Sequence, residues 1–373
     1  MFSVIDLLIV SQIPGIGANR VRTLVSHFGD PTAVLEAPVR AITEVEGFSK
    51  KLAYTIVQFV KSKQYDDAKE YAERQLSKLN RSEGHLLTFW DKQYPDALKK
   101  IYDPPPFLFY RGAICEEDRY AIAIVGTRSP SEYGISMAEK FCQELSRLGI
   151  TIVSGLARGI DTVAHSSALK TNGRTLAVIG SGIDVIYPPE NKSLSERIAK
   201  NGAIISEYAM GAKPDAVNFP KRNRIISGLA LGTVIIETDI NGGAMITAST
   251  ALDQNREVFA LPGHVTSKRS HGCNALIKDG RAKLIESTDD VLEELSGRLR
   301  HFLKKTDKNN KPHIPEMNIF ERTIYDALPD DPLHIDAITE TTKMSTADVL
   351  VNLLSLEFKG IVKQLPGKMF LKV

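Results

Sequence analysis

Hydrophobic residues are laid out along this chain in three different ways. Between residues 117 and 290 they form short continuous runs: Tyr120–Gly126 (YAIAIVG), Ile150–Gly155 (ITIVSG), Arg174–Gly180 (RTLAVIG), Ala203–Ser206, Thr233–Glu237 (TVIIE), Glu257–Leu261 (EVFAL) and Lys283–Ile285. The runs are rich in valine and isoleucine and do not alternate with polar residues, which is the pattern of strands covered on both faces. Stretches with helical spacing separate them. Strands alternating with helices predict an α/β fold, a doubly wound parallel sheet with helices on either side.

Residues 1–80 read differently, as short helices separated by glycine turns. Ile13–Gly17 (IPGIG) precedes Ala18–Phe28 at helical spacing, and Gly29 ends that helix. A weaker copy follows in Val45-Glu46-Gly47-Phe48 and a helix through Phe59. Glycine lets the chain turn tightly and leaves N–H groups free at the start of the next helix, where a phosphate can sit. The arrangement resembles a SAM-like tandem of helix-hairpin-helix units, which grip DNA backbone without reading sequence. The alternative is a small helical bundle packed on the next domain. Residues 81–116 extend the sheet domain to 81–296. Within them Asp103–Pro106 (DPPP) cannot be helical and is expected to lead FLFYRG onto the sheet edge.

Residues 297–317 are polar, charged and hold two prolines, which predicts a linker. In residues 318–373, Phe320–Leu328 has helical spacing, Leu333–Asp336 opens a second helix, and Ser345–Asp348 caps a third that runs to Phe358. Gly360 stops it, and Ile361–Gln364 and Met369–Val373 flank a Leu365-Pro366-Gly367-Lys368 turn. Three helices and a hairpin make a winged helix. Such a domain ordinarily docks on duplex DNA. Here Val349–Glu357 contains no lysine or arginine, which favours a protein-interaction or autoregulatory module over a groove reader.

The loops after the strands share one chemistry, and ligands of open α/β sheets sit beyond the strands' carboxyl ends. They read Gly126-Thr127-Arg128-Ser129, Ser154-Gly155-Leu156-Ala157-Arg158-Gly159-Ile160-Asp161, Gly180-Ser181-Gly182 and Asn241-Gly242-Gly243-Ala244. Glycines admit close approach, hydroxyls and helix N-termini donate hydrogen bonds, and arginine forks onto phosphate. Phe219-Pro220-Lys221-Arg222-Asn223-Arg224 adds three cations in four residues beside an aromatic ring, a combination suited to backbone phosphates and an unstacked base. Lys192 also lies beyond a strand.

Composition sharpens this. The formal net charge is only +2, so an anion site must come from local clustering. No GxxxxGK[ST] is present, and GxGxxG is absent after the first strand, which argues against a nucleotide P-loop and a dinucleotide fingerprint. An extended polyanion is left as the ligand. Cys115, Cys142 and Cys273 are far apart without CxxC, so neither a disulfide framework nor a zinc site is expected. The N-terminus lacks a basic n-region and no apolar run reaches the ~20 residues of a membrane span, so the expected compartment is the cytosol.

Four segments, SGLARGIDTVAH, IGSGIDVIYPPEN, FPKRNRIISGLA and ALPGH, are similar to the signature segments of the DNA-processing protein A family (DprA, also called Smf). They occur in that family's order, with similar spacing, across essentially the whole sheet domain. QLPGKMF resembles the ending of the family's winged helix. The resemblance implies a Rossmann-like core that binds and protects single-stranded DNA, forms a homodimer, and helps load RecA recombinase in natural transformation. Carried across by motif, Arg128, Lys192, Phe219, Arg222 and Arg224 would contact DNA, with Gly126, Gly155 and Gly159 shaping the pocket. The loop chemistry adds Thr127, Ser154, Arg158, Lys221, Asn223, Gly242 and Gly243. The chain departs from the family where Gly242-Gly243-Ala244 replaces a glycine–serine pair, so that loop has backbone donors but lacks the hydroxyl.

No cofactor, metal or catalytic residue is expected. Asp161 and His165 are at i,i+4, and Ser154 or Ser181 is a conceivable nucleophile beside them, but Asp161 equally suits a first-turn acid holding His165. His264 and His271 lack a third ligand at metal spacing. Glu237 ends a strand, as in Rossmann-like enzymes that cleave ribose phosphates from nucleotides, yet their PGGxGT loop is missing. A phosphoribohydrolase-like enzyme and a winged-helix transcription regulator are the two rival readings.

Overall fold

A single nine-stranded sheet organises the first 300 residues of this computed structural model, which describes residues 2–299, 317–329 and 332–372. Its strands are β1 (Gly84–Thr88), β2 (Phe107–Gly112), β3 (Ala121–Val125), β4 (Thr151–Ser154), β5 (Thr175–Val178), β6 (Gly202–Ser206), β7 (Gly232–Ile235), β8 (Glu257–Ala260) and β9 (Lys283–Leu284). They lie in the order β1-β2-β6-β5-β4-β3-β7-β8-β9. The seven from β3 to β9 are parallel, and β2 and β1 add antiparallel at one edge. All seven apolar runs are strands, and FLFYRG is the strand that meets β6. β1 has no counterpart in the sequence reading, because GHLLT is too short and too mixed to stand out.

Strand side chains alternate between two cores. Ile122, Ile124, Ile152 and Val234 pack with Phe141 and Leu145 of helix Glu132–Arg147 and with Ala164 and Ala168 of helix Ile160–Lys170. Ala123, Val125, Val153 and Ile235 face the other way, onto Ile225, Ile226 and Leu229 of helix Asn218–Leu229 and Ala244, Ala248 and Ala251 of helix Gly243–Asp253. Each buried isoleucine or valine contributes roughly 1.5–3 kcal/mol, which offsets the ordering of the backbone. The core continues through Leu299, fully buried, and residues 296–299 are helical. The remainder of the expected linker, 300–316, lies outside the described residues.

The N-terminal helices share a core with the sheet. Leu7, Leu24, Ile42, Ile56 and Phe59 belong to one buried cluster with Phe109, Ala177, Ile204 and Met210, and residues 1–303 form one compact unit. The first hairpin helix spans Ala18–Phe28 as its spacing predicts, and the second spans Lys50–Val60. Gly15 and Gly47 take φ of +80° at the two turns, where a side chain would be strained. A 19-residue helix, Lys63–Arg81, follows where the sequence suggested only short ones. Its buried stripe is Ala68, Ala72, Gln75 and Leu79, too weakly apolar to show a period. Gln75 is tied to the backbone of Met210, accepting from its N–H at 2.7 Å.

Asp103–Pro106 forms the seam between these parts. Prolines have no N–H, so Pro104–Pro106 offer backbone acceptors only. The carbonyls of Pro104, Pro105 and Pro106 accept from Arg22, the Tyr94 hydroxyl and the Phe89 N–H. The Asp103 carboxylate pairs with Arg22 of the N-terminal helices at 3.1 Å and lies 3.8 Å from Arg224 of the sheet domain. Nearby, Trp90 donates to Ser26 Oγ at 3.2 Å and packs on Phe2 and Phe89.

Residues 304–373 form the second unit. Helices Ile319–Ala327, Ile335–Thr342 and Thr346–Phe358 pack around Ile324, Ile338, Leu353 and Leu356. Strands β10 (Leu333–His334), β11 (Val362–Leu365) and β12 (Met369–Lys372) are ordered β10-β12-β11, which completes a winged helix. Ser345 caps the third helix, as its sequence predicts. That helix exposes Leu350, Val351, Leu354 and Phe358. Glu321 is buried at the start of the first helix, where Lys359 Nζ (2.6 Å), Ser355 Oγ (2.6 Å) and the Asn318 N–H (2.7 Å) donate to it. Those three hydrogen bonds, led by that from Lys359, hold its carboxyl down at about 2.

Two stability predictions follow from this packing. Asp103→Ala leaves Arg22 without its carboxylate and should cost about 2 kcal/mol, read as a lower midpoint for residues 1–303 in thermal denaturation. For Glu321 the folded-state pKa lies below the unfolded one, so its contribution is full above the ordinary glutamate range and is lost as pH falls through about 2. Protection of the amides of helix Thr346–Phe358 in the full chain, taken relative to the intrinsic exchange rate at each pH, should therefore fall between those limits, and Glu321→Gln should flatten that acid dependence.

Candidate nucleic-acid interface

The order of the sheet reverses at β3, which has β4 on one side and β7 on the other. Loops leaving these strands diverge and open a crevice at their carboxyl ends. The crevice is a cleft of about 760 Å³ walled by the loops after β3, β4 and β7, the start of helix Asn218–Leu229 and the start of helix Gly243–Asp253.

Backbone hydrogen bonds zip these loops together. The Thr127 N–H donates to the Glu237 carbonyl at 2.7 Å, and the Ile160 N–H donates to the Thr127 carbonyl at 3.2 Å. A Cβ on Gly159, whose φ is +75°, would stand 2.4 Å from that same carbonyl, and one on Gly126 would meet Ile160 at 2.6 Å. The glycines of the first two loops are thus required by how closely the loops pack.

Below the cleft floor lies a buried arginine. Arg222 is 4% exposed. Its guanidinium donates to the Gly155 carbonyl at 2.6 Å and to the Val178 carbonyl, and its Nε donates to Asn223 Oδ1 at 3.2 Å. A Cβ on Gly155 would sit 2.6 Å from the guanidinium. Asp161, also buried, accepts from the N–H groups of Gly155 (3.1 Å) and Ala157 (3.3 Å). Burial pushes the Arg222 pKa down to about 10, opposed by the attraction of Asp161, and burial pushes the Asp161 carboxyl up, opposed chiefly by Arg222. Arg222 therefore remains a cation at neutral pH and gives the floor a fixed positive charge.

At the mouth a cation meets aromatic rings. Exposed Arg128 lies over the Phe219 ring, 5.5 Å from its centroid, and makes no hydrogen bond or ion pair among the described residues. Tyr187 flanks Phe219 with centroids 5.9 Å apart and planes at 38°. Lys221 is exposed and makes no ion pair among the described residues, but it does not line the cleft. Gly242 caps helix Gly243–Asp253 without a side-chain bond, leaving backbone donors on the cleft wall.

Several expected residues are placed elsewhere. Arg224 turns away from the cleft and forks onto Glu207 at 3.0 and 2.6 Å, beside Asp103. Ser154 is fully buried and donates to the Ile124 carbonyl at 2.7 Å. Arg158 lines a recess next to the cleft and is paired with Glu190, both side chains being half-exposed. Lys192 is exposed at the start of helix Lys192–Lys200 and does not line the cleft. Conversely, Tyr187, Thr238, Asp239 and Thr247 line it and escaped the sequence reading, although Tyr187 stands within IGSGIDVIYPPEN and Thr238-Asp239 directly follow a strand.

The groups considered for catalysis are committed to structure. His165 makes no bond to Asp161. It is fully buried, its Nδ1 lies 2.6 Å from Thr175 Oγ1, and burial pushes it down to about 3, so it is neutral. Because Thr175 Oγ1 donates to the Ile152 carbonyl at 2.8 Å, His165 must be the donor in that contact. Glu237 is buried and accepts from Ser131 through the N–H (2.9 Å) and Oγ (2.5 Å), fixing the start of helix Glu132–Arg147. Ser181 Oγ donates to the Val185 carbonyl at 2.6 Å. Among the described residues no group of three or more His, Cys, Asp or Glu side chains could hold a metal ion.

Residues 85–296 match the family model described as DNA recombination-mediator protein A, residues 312–368 the DprA winged helix domain, and residues 6–62 the SAM-like helix-hairpin-helix tandem. Protein Smf of Synechocystis is 36% identical over 96% of this chain and 96% of its own length. Protein Smf of Escherichia coli is 37% identical over 79% of each. The X-ray structure of DNA processing protein A from Streptococcus pneumoniae superposes with a TM-score of 0.68 at 34% identity, covering 79% of this chain and 99% of that one. DNA processing protein A from Helicobacter pylori, whose structure is described for its single-stranded DNA binding mode, gives a TM-score of 0.52 at 31% identity over 57% of this chain and 97% of that one. The sheet, the hairpin helices and the winged helix all answer to one family: the chain belongs to the DNA-processing protein A (DprA/Smf) family.

Proposed function

We propose that this protein binds single-stranded DNA in the cleft at the β3 switch point, protects incoming strands, and hands them to RecA recombinase in natural transformation. One observation carries the binding step: the unpaired Arg128 guanidinium lies against the Phe219–Tyr187 aromatic pair above the buried Arg222 cation. Aromatic faces stack any base, and cations neutralise phosphates without regard to sequence. A duplex keeps its bases stacked inside and offers nothing to those rings. The hand-over to RecA and a homodimer through the sheet domain rest on family membership. For the dimer there is also exposed Ile240 and Val265 on neighbouring loops.

The reading is of a binding protein, supported by the engagement of His165, Glu237 and Ser181 in structural hydrogen bonds. No described helix is long and apolar enough to cross a membrane. The winged helix is assigned to protein contacts, because its third helix presents leucine, valine and phenylalanine where a groove reader carries cations.

Titrating labelled single strands and duplex at two salt concentrations tests this. Single strands should bind more tightly and lose affinity steeply with salt. Arg128→Ala should weaken binding for all sequences and reduce the salt slope by about one, and Phe219→Ala should cost about 1–3 kcal/mol per stacked base. Unchanged single-strand affinity in both variants would refute the cleft. Arg222→Ala is a different probe: it leaves Asp161 buried without its cation and should lower folding stability by about 3–5 kcal/mol, so its binding defect must be measured where the variant is folded.

A further inference from the structure

The cleft is chemically divided. Arg128, Tyr187, Phe219 and Arg222 line both the cleft and the recess beside it. The remaining wall, built by the loop after β7 and the start of helix Gly243–Asp253, carries no cation and one carboxylate, Asp239. A phosphate against that wall would be repelled.

Yet the wall is rich in unused hydrogen-bonding groups. Asp239 Oδ1 accepts from the Ile240 N–H at 2.7 Å, and Oδ2 has no partner among the described residues. Helix Gly243–Asp253 begins at Gly242 without a side-chain cap, and a Cβ on Gly243 would meet nothing within 4 Å, so open space lies before its first N–H groups. Thr247 is the second, independent sign of a ligand. It is only 2% exposed and lines the cleft, and its hydroxyl has no partner among the described residues. A threonine inside a helix ordinarily donates to the carbonyl four residues back. Thr250, one turn on, does so to Ile246 at 2.8 Å, whereas Thr247 does not.

Resting on the single-strand reading above, we infer that this wall is a base-reading subsite that takes a guanine. A carboxylate acceptor beside backbone N–H donors matches an edge that offers two adjacent donors next to an acceptor. Guanine presents N1–H and N2–H₂ to Asp239 and O6 to the N–H groups of Gly243 and Ala244, with the Thr247 hydroxyl free to serve either kind of group. Thymine has one such donor, and adenine and cytosine each offer one amino group, so none satisfies both carboxylate oxygens. Gly242-Gly243-Ala244 stands in this chain in place of the glycine–serine pair usual in the family, and the polar role at this wall falls to Asp239 and Thr247.

The test uses the full chain and short oligothymidylates in which one position is dT, dG or deoxyinosine, which lacks the N2 amino group. The dG oligomer should bind about tenfold more tightly than the all-dT one, with most of the gain lost for deoxyinosine. In Asp239→Asn the dG-to-dT affinity ratio should fall to near one, and Thr247→Val should lower it by a smaller factor. Equal affinity of the dG and all-dT oligomers for the unmodified protein, or a dG preference that survives Asp239→Asn, overturns the subsite while leaving single-strand binding in place. Binding of none of the oligomers overturns the cleft itself, and the subsite with it.

Discussion

The guanidinium of Arg222 is the fixed point of the sheet domain's working edge. It is one cation held beneath the floor by the Gly155 and Val178 carbonyls and balanced by Asp161. A loop, a strand end and two helices meet on it: the loop after β4 supplies Gly155, helix Ile160–Lys170 supplies Asp161, the end of β5 supplies Val178, and helix Asn218–Leu229 supplies the arginine. Burying a charge is tolerable only when its hydrogen bonds and counter-charge come from well-placed neighbours. The same residues therefore fix the loop positions and the charge beneath the cleft. Phe219 projects into the cleft because Arg222, one turn on in the same helix, is anchored beneath it.

Much of this architecture was legible in the amino-acid order. Seven strands were visible because a parallel sheet covered on both faces needs unbroken apolar runs, and the hairpin helices because Gly15, Gly29 and Gly47 sit at turns. Helix Lys63–Arg81 was not, since alanines and a glutamine do its packing. The placement of the cations was harder to read. Lys221, Arg222 and Arg224 are adjacent in sequence, but successive residues of a helix are rotated by about 100°, and the three face solvent, the floor and Glu207 in turn. A usable signal was present: Ile225 and Ile226 lie one turn beyond Arg222 and define the buried face, which places that arginine inside. Nothing local indicates that Glu207, seventeen residues before Arg224, claims its fork, because that contact is made only when β6 and the helix are assembled.

Net charge is a poor guide to such a site. With 47 basic and 45 acidic residues the chain has almost no overall field, and many of its arginines are neutralised pairwise: Arg22 by Asp103, Arg158 by Glu190, Arg174 by Asp118, Arg224 by Glu207. What matters is which cations are left over. At the cleft this is Arg128 at the mouth, with Arg222 beneath it, whereas Lys221 is exposed outside the lining. Attraction is thus short-ranged and concentrated where the aromatic rings are.

The seam around Trp90 has a practical optical consequence. Trp90 is the single tryptophan of the chain, and it sits where Phe2, Phe89 and Ser26 bring the N-terminal helices against the sheet domain. Tryptophan emission from the whole polypeptide, excited selectively at the red edge of the absorption band, consequently originates at this one joint. An unfolding curve followed by that emission reports separation of the hairpin helices from the sheet. The same indole is a ready-made gauge of whether the two halves of the first unit loosen together or one before the other.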